Sequence, residues 1–408
     1  MNQSFAILFS LVLACARETP VAVAADPFLR HYDIRFEQLS PPFATPSANN
    51  VPNVTKRPDG ATLHLPPGFS IAEYASGLDD PRNMLLAPNG DVLLAEPAAG
   101  RVTVLRDANR DGVAELRYTL IDGLNEPYGL AFRGSYLYIG DVDAIVRVPY
   151  SAGQTRINTE PQRIAPLPSG GSHTTRGVVF NRAGTKMYVS IGAASNVNSG
   201  EPPERAAIVE FNPDGTGKRI FASGLRNPVG MAWEPVTGAL WTAVNERDGM
   251  GEDQVPDYVT EVHDGAFYGW PYAFIGAHED SRRRGERPDL VRKTIAPDLL
   301  FQAHSAALGI TFYEGRMFPP EYRGSAFVAF HGSWNRALRT GYKVVSIPFR
   351  NGRPKGGYDD FVTGWMTDER SRNVWGHPVG VLVLADGSLL ISDDGAGKVW
   401  RVTYSRAR

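Results

Sequence analysis

Gly171-Ser172-His173-Thr174-Thr175-Arg176 sets an imidazole among small hydroxyl side chains and a guanidinium, directly before the apolar run Gly177-Val178-Val179-Phe180. Histidine titrates near neutral pH without perturbation, so His173 at the start of a strand is a candidate proton acceptor. A second polar cluster, Arg226-Asn227-Pro228, leads into another strand. In a third, Phe327-Val328-Ala329-Phe330 runs into His331-Gly332-Ser333-Trp334-Asn335-Arg336, which reads as a binding rim because arginine presents a planar fork suited to carboxylates. A stabilising turn with an exposed Arg336 explains the same residues equally well.

Two stretches carry oxygen ligands in patterns that suit a hard cation. Asp107, Asn109 and Asp111 alternate ahead of Gly112, with the Val113 carbonyl and the Glu115 side chain following, as at the start of a calcium loop. The twelfth position is Tyr118 instead of Glu and no helices flank the loop, so a solvated acidic turn competes, and any ion here would be structural. Asn245-Glu246-Arg247-Asp248-Gly249, with Glu252 and Asp253 close behind, combines carboxylates and exposed carbonyls. Glu279-Asp280-Ser281-Arg282-Arg283-Arg284-Gly285-Glu286-Arg287 reads as a solvated loop whose basic face could dock a partner protein.

These residues need elements to hold them, and a repeat supplies them. A polar Gly/Pro lead-in, an apolar strand, a tight Gly turn and a second strand recur, as in Asp122-Gly123-Leu124-Asn125-Glu126-Pro127 followed by Gly129-Leu130-Ala131-Phe132 and Tyr136-Leu137-Tyr138-Ile139. Taking Gly77, Gly123, Gly171, Gly224, Leu308 and Gly376 as equivalent gives six units at blade-length spacing, hence an all-β, six-bladed β-propeller from residue 65 to 408. Five or seven blades stay open on spacing alone, and a longer interval before the fifth unit predicts an insertion. In such a fold the innermost strands converge, so His173, Arg226 and His377 are expected to share a central funnel.

Composition narrows the class. Of 408 residues, 42% are hydrophobic and the formal charge is −2, which leaves ample core and no basic stripe for nucleic acid. No run beyond the N-terminus approaches the length of a membrane-spanning helix. Phe5 to Ala14 is apolar and of signal-peptide length, with Ala22-Val23-Ala24 as a cleavage motif, giving a signal peptide at 1–24. Val12-Leu13-Ala14-Cys15 competes as a lipobox, with a lipoprotein signal at 1–14 and a lipid anchor at Cys15. Cys15 is the only cysteine, so the mature chain has neither disulfide nor thiolate chemistry and is expected to be periplasmic or secreted. Residues 25–64, rich in Pro, Asn and Thr, read as an extended arm.

Taken together the chain resembles the soluble glucose dehydrogenase and sorbosone dehydrogenase family, which depends on pyrroloquinoline quinone (PQQ). The resemblance covers roughly residues 65 to 405 and is most specific at 171–176, Leu225-Arg226-Asn227-Pro228-Val229-Gly230, Tyr268-Gly269-Trp270-Pro271 and 331–336. It implies a six-bladed propeller with PQQ and calcium in the funnel. His173 falls on the family's general base, Arg226 on the arginine that polarises the quinone carbonyl, and Asn227 on a cofactor-contacting asparagine. The family's calcium takes carbonyls from the turn matching Arg247 and Asp248, and Arg336 is expected to pair with a PQQ carboxylate. Where the glucose branch has an aspartate, this chain has Ala193-Ala194-Ser195-Asn196, leaving Asn196 as the candidate partner of the base. At the last blade His377 and Val379 stand where cofactor-binding arginines are expected, so Arg336 and Arg339 become the candidates to supply that charge. The implied activity is oxidation of an aldose, a sorbosone-like sugar or another aldehyde, with electrons leaving to a cytochrome or quinone acceptor. A calcium-dependent lactonase-type propeller and a non-catalytic carbohydrate-binding propeller are the competing readings.

Overall fold

Short apolar runs closed by Gly turns leave the chain no way to bury both faces of a strand except between neighbours in a sheet. In the computed structural model, which describes residues 28–405, they form six antiparallel sheets around a common axis, five of four strands and one of five. In chain order, the innermost strands are Met84–Leu86, Gly129–Arg133, Val178–Phe180, Asn227–Trp233, Ala307–Phe312 and Pro378–Val383, defining blades 1 to 6. Second and third strands such as Val92–Glu96, Met187–Ile191, Ala207–Phe211 and Ala326–Phe330 are buried along their whole length, which is why they read as continuous apolar runs without alternation. Each interface between adjacent blades carries its own apolar cluster; that between blades 2 and 3, for example, joins Tyr138 and Ile145 to Met187 and Val189.

The ring is closed by the start of the propeller. Phe69–Ser76 pairs antiparallel with Lys398–Tyr404 and becomes the outermost strand of blade 6, so the first strand in sequence belongs to the last blade. Closure ties the two ends of the propeller together through the backbone ladder of one blade.

Around the axis the inner strands touch backbone to backbone. A methyl group added at Gly129, Gly177, Gly230, Gly309 or Gly380 would meet the carbonyl of Arg176, Val229, Leu308, Val379 or Arg82, each on the next blade; Asn83 holds the equivalent position in blade 1. None of these five glycines has a positive φ, so close approach is what demands glycine. Gly230→Ala is therefore expected to cost about 1–3 kcal/mol by overpacking the ring. A lower melting temperature by calorimetry checks this; an unchanged one would refute the tight ring. The residues just before these glycines point at the axis, where Tyr128, Val229, Leu308 and Val379 pack as one buried cluster. They close the axis at the position three residues along from His173 and Arg226 in their lead-ins.

The insertion lies between the third and fourth strands of blade 4. It includes the hairpin Ala273–Phe274/His278–Glu279, a 3-10 turn at Ser281–Arg283 and the short helix Pro288–Lys293. Phe267 bridges to Ser223 of the outer strand of blade 3, so the segment is laid against the neighbouring blade. The arm is ordered by pairing: His31–Tyr32 extends the edge of blade 5, and Asn53–Val54 runs parallel to Asn373–Val374. Between them Phe43 N–H donates to the Met250 carbonyl and Asn50 N–H to that of Trp334. The proposed signal segment, Cys15 included, lies outside the described residues.

Candidate active site

His173 reaches the funnel from the lead-in of blade 3 and donates from Nδ1 to the Ala193 carbonyl at 2.6 Å. That bond fixes the tautomer, leaving the Nε2 lone pair to accept a proton. Burial first, then the nearby Arg226 charge, pushes the imidazole down to about 4, against the Ala193 bond, which pulls the other way; Arg205 and Arg176 add to the depression. The ring is thus a neutral base throughout the neutral range. Ala193 N–H in turn donates to the Arg226 carbonyl at 2.7 Å, so one residue ties the base on blade 3 to the guanidinium on blade 4.

Arg226 is buried, and four of its five N–H groups are placed. Nη1 donates to the Glu246 carbonyl at 2.8 Å, Nη2 to Asn196 Oδ1 at 3.0 Å and to Asp248 Oδ2 at 3.1 Å, and Nε to the Asn196 carbonyl at 3.4 Å. One N–H on Nη1 remains for a ligand. Asn227 Oδ1 is buried without a protein partner, and Gly192 leaves the space between it and His173 that a methyl group would fill. An orphaned acceptor beside a free donor and a neutral base is what a polar ligand would complete.

Across the funnel, blades 5, 6 and 1 bring together His331, His377, Asp394 and Arg82. His331 Nε2 meets both Asp394 oxygens at 3.0 and 3.1 Å, and Arg82 Nη1 stands 3.2 Å from Asp394 Oδ2. His331 and His377 pack edge to face at 4.4 Å. Burial pushes His377 down to about 3, with His331 adding to it, and the cationic neighbours hold the Asp394 carboxyl well below its usual range despite burial. His377 Nε2 and Arg82 Nε are buried and unpartnered. Arg82 and Asp394 were missed in the sequence. Their signal was positional: Arg82 follows Pro81 as Val379 follows Pro378, and Asp394 comes directly after the second strand of its blade, Leu389–Asp393, as His331 comes after Ala326–Phe330.

Other expectations are corrected. Arg339 is buried with every N–H engaged, on the carbonyls of Ser371, Ser333 and Asn50, on Asn50 Oδ1 and on the Tyr342 hydroxyl; it clamps the arm to blade 5 and cannot hold a cofactor. Arg336 donates to the Glu252 carbonyl at 2.7 Å and to Asp253 at 3.3 Å, so its fork is turned to the rim and not to a ligand carboxylate. Asn335 donates to Asp248 Oδ1 at 2.6 Å and to His304 Nδ1 at 3.1 Å, acting behind Asp248. Asn196 is engaged with Arg226 and Asp248 and does not partner the base; the Ala193 carbonyl does. Arg247 is fully buried on Glu246 and Asp280. The Asp248 carbonyl accepts from Asn196 Nδ2 and from Arg282 Nη1, each at 2.9 Å, so both its lone pairs are used and it is not available to a metal.

The Asp107–Glu115 loop joins the two outer strands of blade 1, on the face opposite the lead-ins. Its oxygens are turned on its own backbone: Asp107 accepts from Asp111 and Gly112, Asn109 from Asp111, Asp111 from Val113, and Glu115 from Ala108 and Asn109. In the basic loop Arg283 is turned inward, donating to the Val197 carbonyl at 2.7 Å, while Arg284 and Arg287 stay exposed. A cleft of about 700 Å³ opens between the arm and blade 5, lined by Arg30, Thr340 and Asp360 among others, but it contains none of the residues around His173. Within it Lys343 pairs with Asp360 and Arg339 is taken up by the arm, whereas Asn227 Oδ1 beside His173 has no partner. The chemistry belongs to the funnel.

The class that fold and site define is a closed six-bladed propeller carrying a neutral imidazole and a guanidinium on neighbouring blades. The chain belongs to the TrAA12-like family, whose model matches residues 63–266 and 284–405. It is 28% identical to an uncharacterized protein of Borreliella burgdorferi over 85% of this chain and 92% of that one. It is 23% identical to a pyrroloquinoline quinone-dependent sugar dehydrogenase of Hypocrea jecorina, covering 83% and 88%. Among solved structures, the PQQ domain of pyranose dehydrogenase from Coprinopsis cinerea in its holo form superposes with a TM-score of 0.73 at 22% identity, covering 86% of this chain and 99% of the other. A calcium structure of Trichoderma reesei family AA12 superposes at 0.74 and 21% identity, covering 88% and 99%. The shared fold is what these superpositions show.

Proposed function

We propose that this chain oxidises an aldose by hydride transfer to PQQ bound in the funnel. The observation that supports it most directly is the pairing of a free Nε2 on a neutral His173 with a free N–H on Arg226, tied through Ala193. The residues fit the cofactor. Asn227 Oδ1, His377 Nε2 and Arg82 Nε are buried polar atoms awaiting partners, and the Arg82/His331/His377 side offers cationic and N–H donors to carboxylates. Asn227, Arg82, His331 and His377 would hold the cofactor.

When bound, PQQ supplies a quinone carbonyl carbon as the hydride acceptor. His173 Nε2 takes the proton from the sugar hydroxyl, while the Ala193 carbonyl steadies the imidazolium that forms. Arg226 aims its remaining N–H at the oxygen on which negative charge develops, and its fork is already oriented by Asn196 and Asp248. Of the two carbonyls at which the resemblance implies calcium, that of Asp248 already accepts from Asn196 and Arg282. A lactonase-type site would gather oxygens on a metal; the groups facing His173 here are guanidinium N–H donors.

Beyond the aldose class, a sorbosone-like sugar or aldehyde as substrate, an external cytochrome or quinone as acceptor, and export to the periplasm or beyond complete the reading. The test is to add PQQ to purified quinone-free protein and follow dye reduction over a panel of aldoses, sorbosone and simple aldehydes. Dye reduction by an aldose that requires PQQ is the expected result. Ester hydrolysis without PQQ, or no spectral change of the quinone on mixing, would overturn it.

A further inference from the structure

Glu279–Arg287 is basic in sequence, yet its most central side chain faces inward. Asp280 is fully buried and accepts a bidentate pair from Arg282, Nε to Oδ1 at 2.9 Å and Nη2 to Oδ2 at 2.8 Å. The same carboxylate accepts from Arg247 Nη1 at 3.0 Å. Held by this fork, Arg282 points its third nitrogen, Nη1, at the Asp248 carbonyl, 2.9 Å away. A bidentate pair on a buried carboxylate fixes a guanidinium in both position and plane. Arg283 pins the loop to blade 3 through the Val197 carbonyl, so the whole segment is set as a lid edge between blades 3 and 4.

The charges around the turn then close on themselves. Three carboxylates, Glu246, Asp248 and Asp280, face three guanidiniums, Arg226, Arg247 and Arg282, in two sets of ion pairs, Arg226 with Asp248 and the run Glu246–Arg247–Asp280–Arg282, joined by hydrogen bonds from Arg226 to the Glu246 carbonyl and from Arg282 to the Asp248 carbonyl. A divalent ion at the Asp248 carbonyl would displace Arg282 or Asn196 from it and would sit beside the Arg226, Arg247 and Arg282 guanidiniums. A backbone carbonyl with both lone pairs filled by N–H donors has nothing left for a metal.

We propose that Arg282 takes the part of the cation at this turn, so that PQQ binds this chain without a divalent metal. The inference rests on the quinone reading above. It also accounts for the insertion in blade 4, because without that segment no guanidinium reaches the Asp248 carbonyl.

The test reads binding instead of turnover. Protein freed of quinone and metal with a chelator is titrated with PQQ, and quenching of tryptophan fluorescence gives Kd with excess chelator and with added calcium. The expected result is a Kd that agrees within about twofold between the two conditions, a difference well under 1 kcal/mol. Arg282→Ala should then weaken binding in chelator by about tenfold or more, with calcium restoring part of it and Arg282→Lys falling between, while circular dichroism reports whether each variant is folded. Binding of PQQ to the unaltered chain only when calcium is added would overturn the inference and leave the quinone reading standing. An Arg282→Ala protein that binds PQQ as tightly as the parent in chelator would also overturn it. Failure to bind under either condition would overturn both.

Discussion

His173→Ala is expected to lower turnover by about 10²–10⁴-fold while the Kd for PQQ, read by fluorescence quenching, stays close to that of the parent. The magnitude is that of a positioned general base. The split follows from geometry, because the ring is anchored to the Ala193 carbonyl and not to the residues that would hold the quinone. The acid side of the pH profile carries an independent signature. With its pKa held near 4 by burial and the Arg226 charge, His173 stays unprotonated well below the usual histidine range. kcat/KM for the parent should therefore be flat from neutral pH down to about 5 and fall near 4, not near 6.5. A fall centred near 6.5, or a His173→Ala enzyme that loses PQQ but keeps its turnover per bound cofactor, would remove His173 from the role of base. Stability should move in the same direction. His173 and His377 both titrate lower in the folded chain than in the unfolded one, so the stability they contribute is complete above about pH 6.5 and is lost as pH falls toward 4 and 3.

Arg226→Ala should cost about 10²–10³-fold in kcat, the range for removing one preorganised donor from a developing oxyanion. It should also lower the melting temperature, because Asp248 loses the guanidinium it meets at 3.1 Å and the Glu246 carbonyl loses its donor. Arg226→Lys separates the two effects. It keeps the charge but cannot span Asn196, Asp248 and the Glu246 carbonyl at once, so stability should recover more than kcat. Stopped-flow reduction of PQQ-loaded protein by a saturating aldose, alongside calorimetry, measures both. Reduction in Arg226→Ala as fast as in the parent would mean that the guanidinium only props up the fold.

Much of the fold was legible because propeller blades are local. Each hairpin is written in a few consecutive residues, such as Pro88-Asn89-Gly90-Asp91 between two apolar runs, and its repetition announces the ring. The closing strand was less so: Phe69–Ser76 looks like the first strand of a first blade, and only its pairing with Lys398–Tyr404 places it in the last. Among candidate side chains, those at the lead-ins gather in two groups, His173 with Arg226 and Asn227, and His377 with His331 and Asp394, because equivalent inner strands stand side by side around the axis. Arginines further along loops went astray. Arg336 and Arg339 look in sequence like spare charges near a binding rim, and each instead folds back on Glu252, Asp253 or Asn50.

By itself, then, the order of residues determined the repeated hairpins of a propeller, read as six blades with five or seven open on spacing alone, and the imidazole and guanidinium that head two of them. Tertiary structure decided which long cations remain available: Arg82 stands beside His331 and Asp394, Arg339 is consumed by the arm, and Arg282 occupies the Asp248 carbonyl. The reason is physical. A strand's direction is set by its neighbours in sequence, whereas a guanidinium on a flexible stem goes to whichever carboxylates and carbonyls the folded chain presents within its reach, and those come from residues far away along the chain.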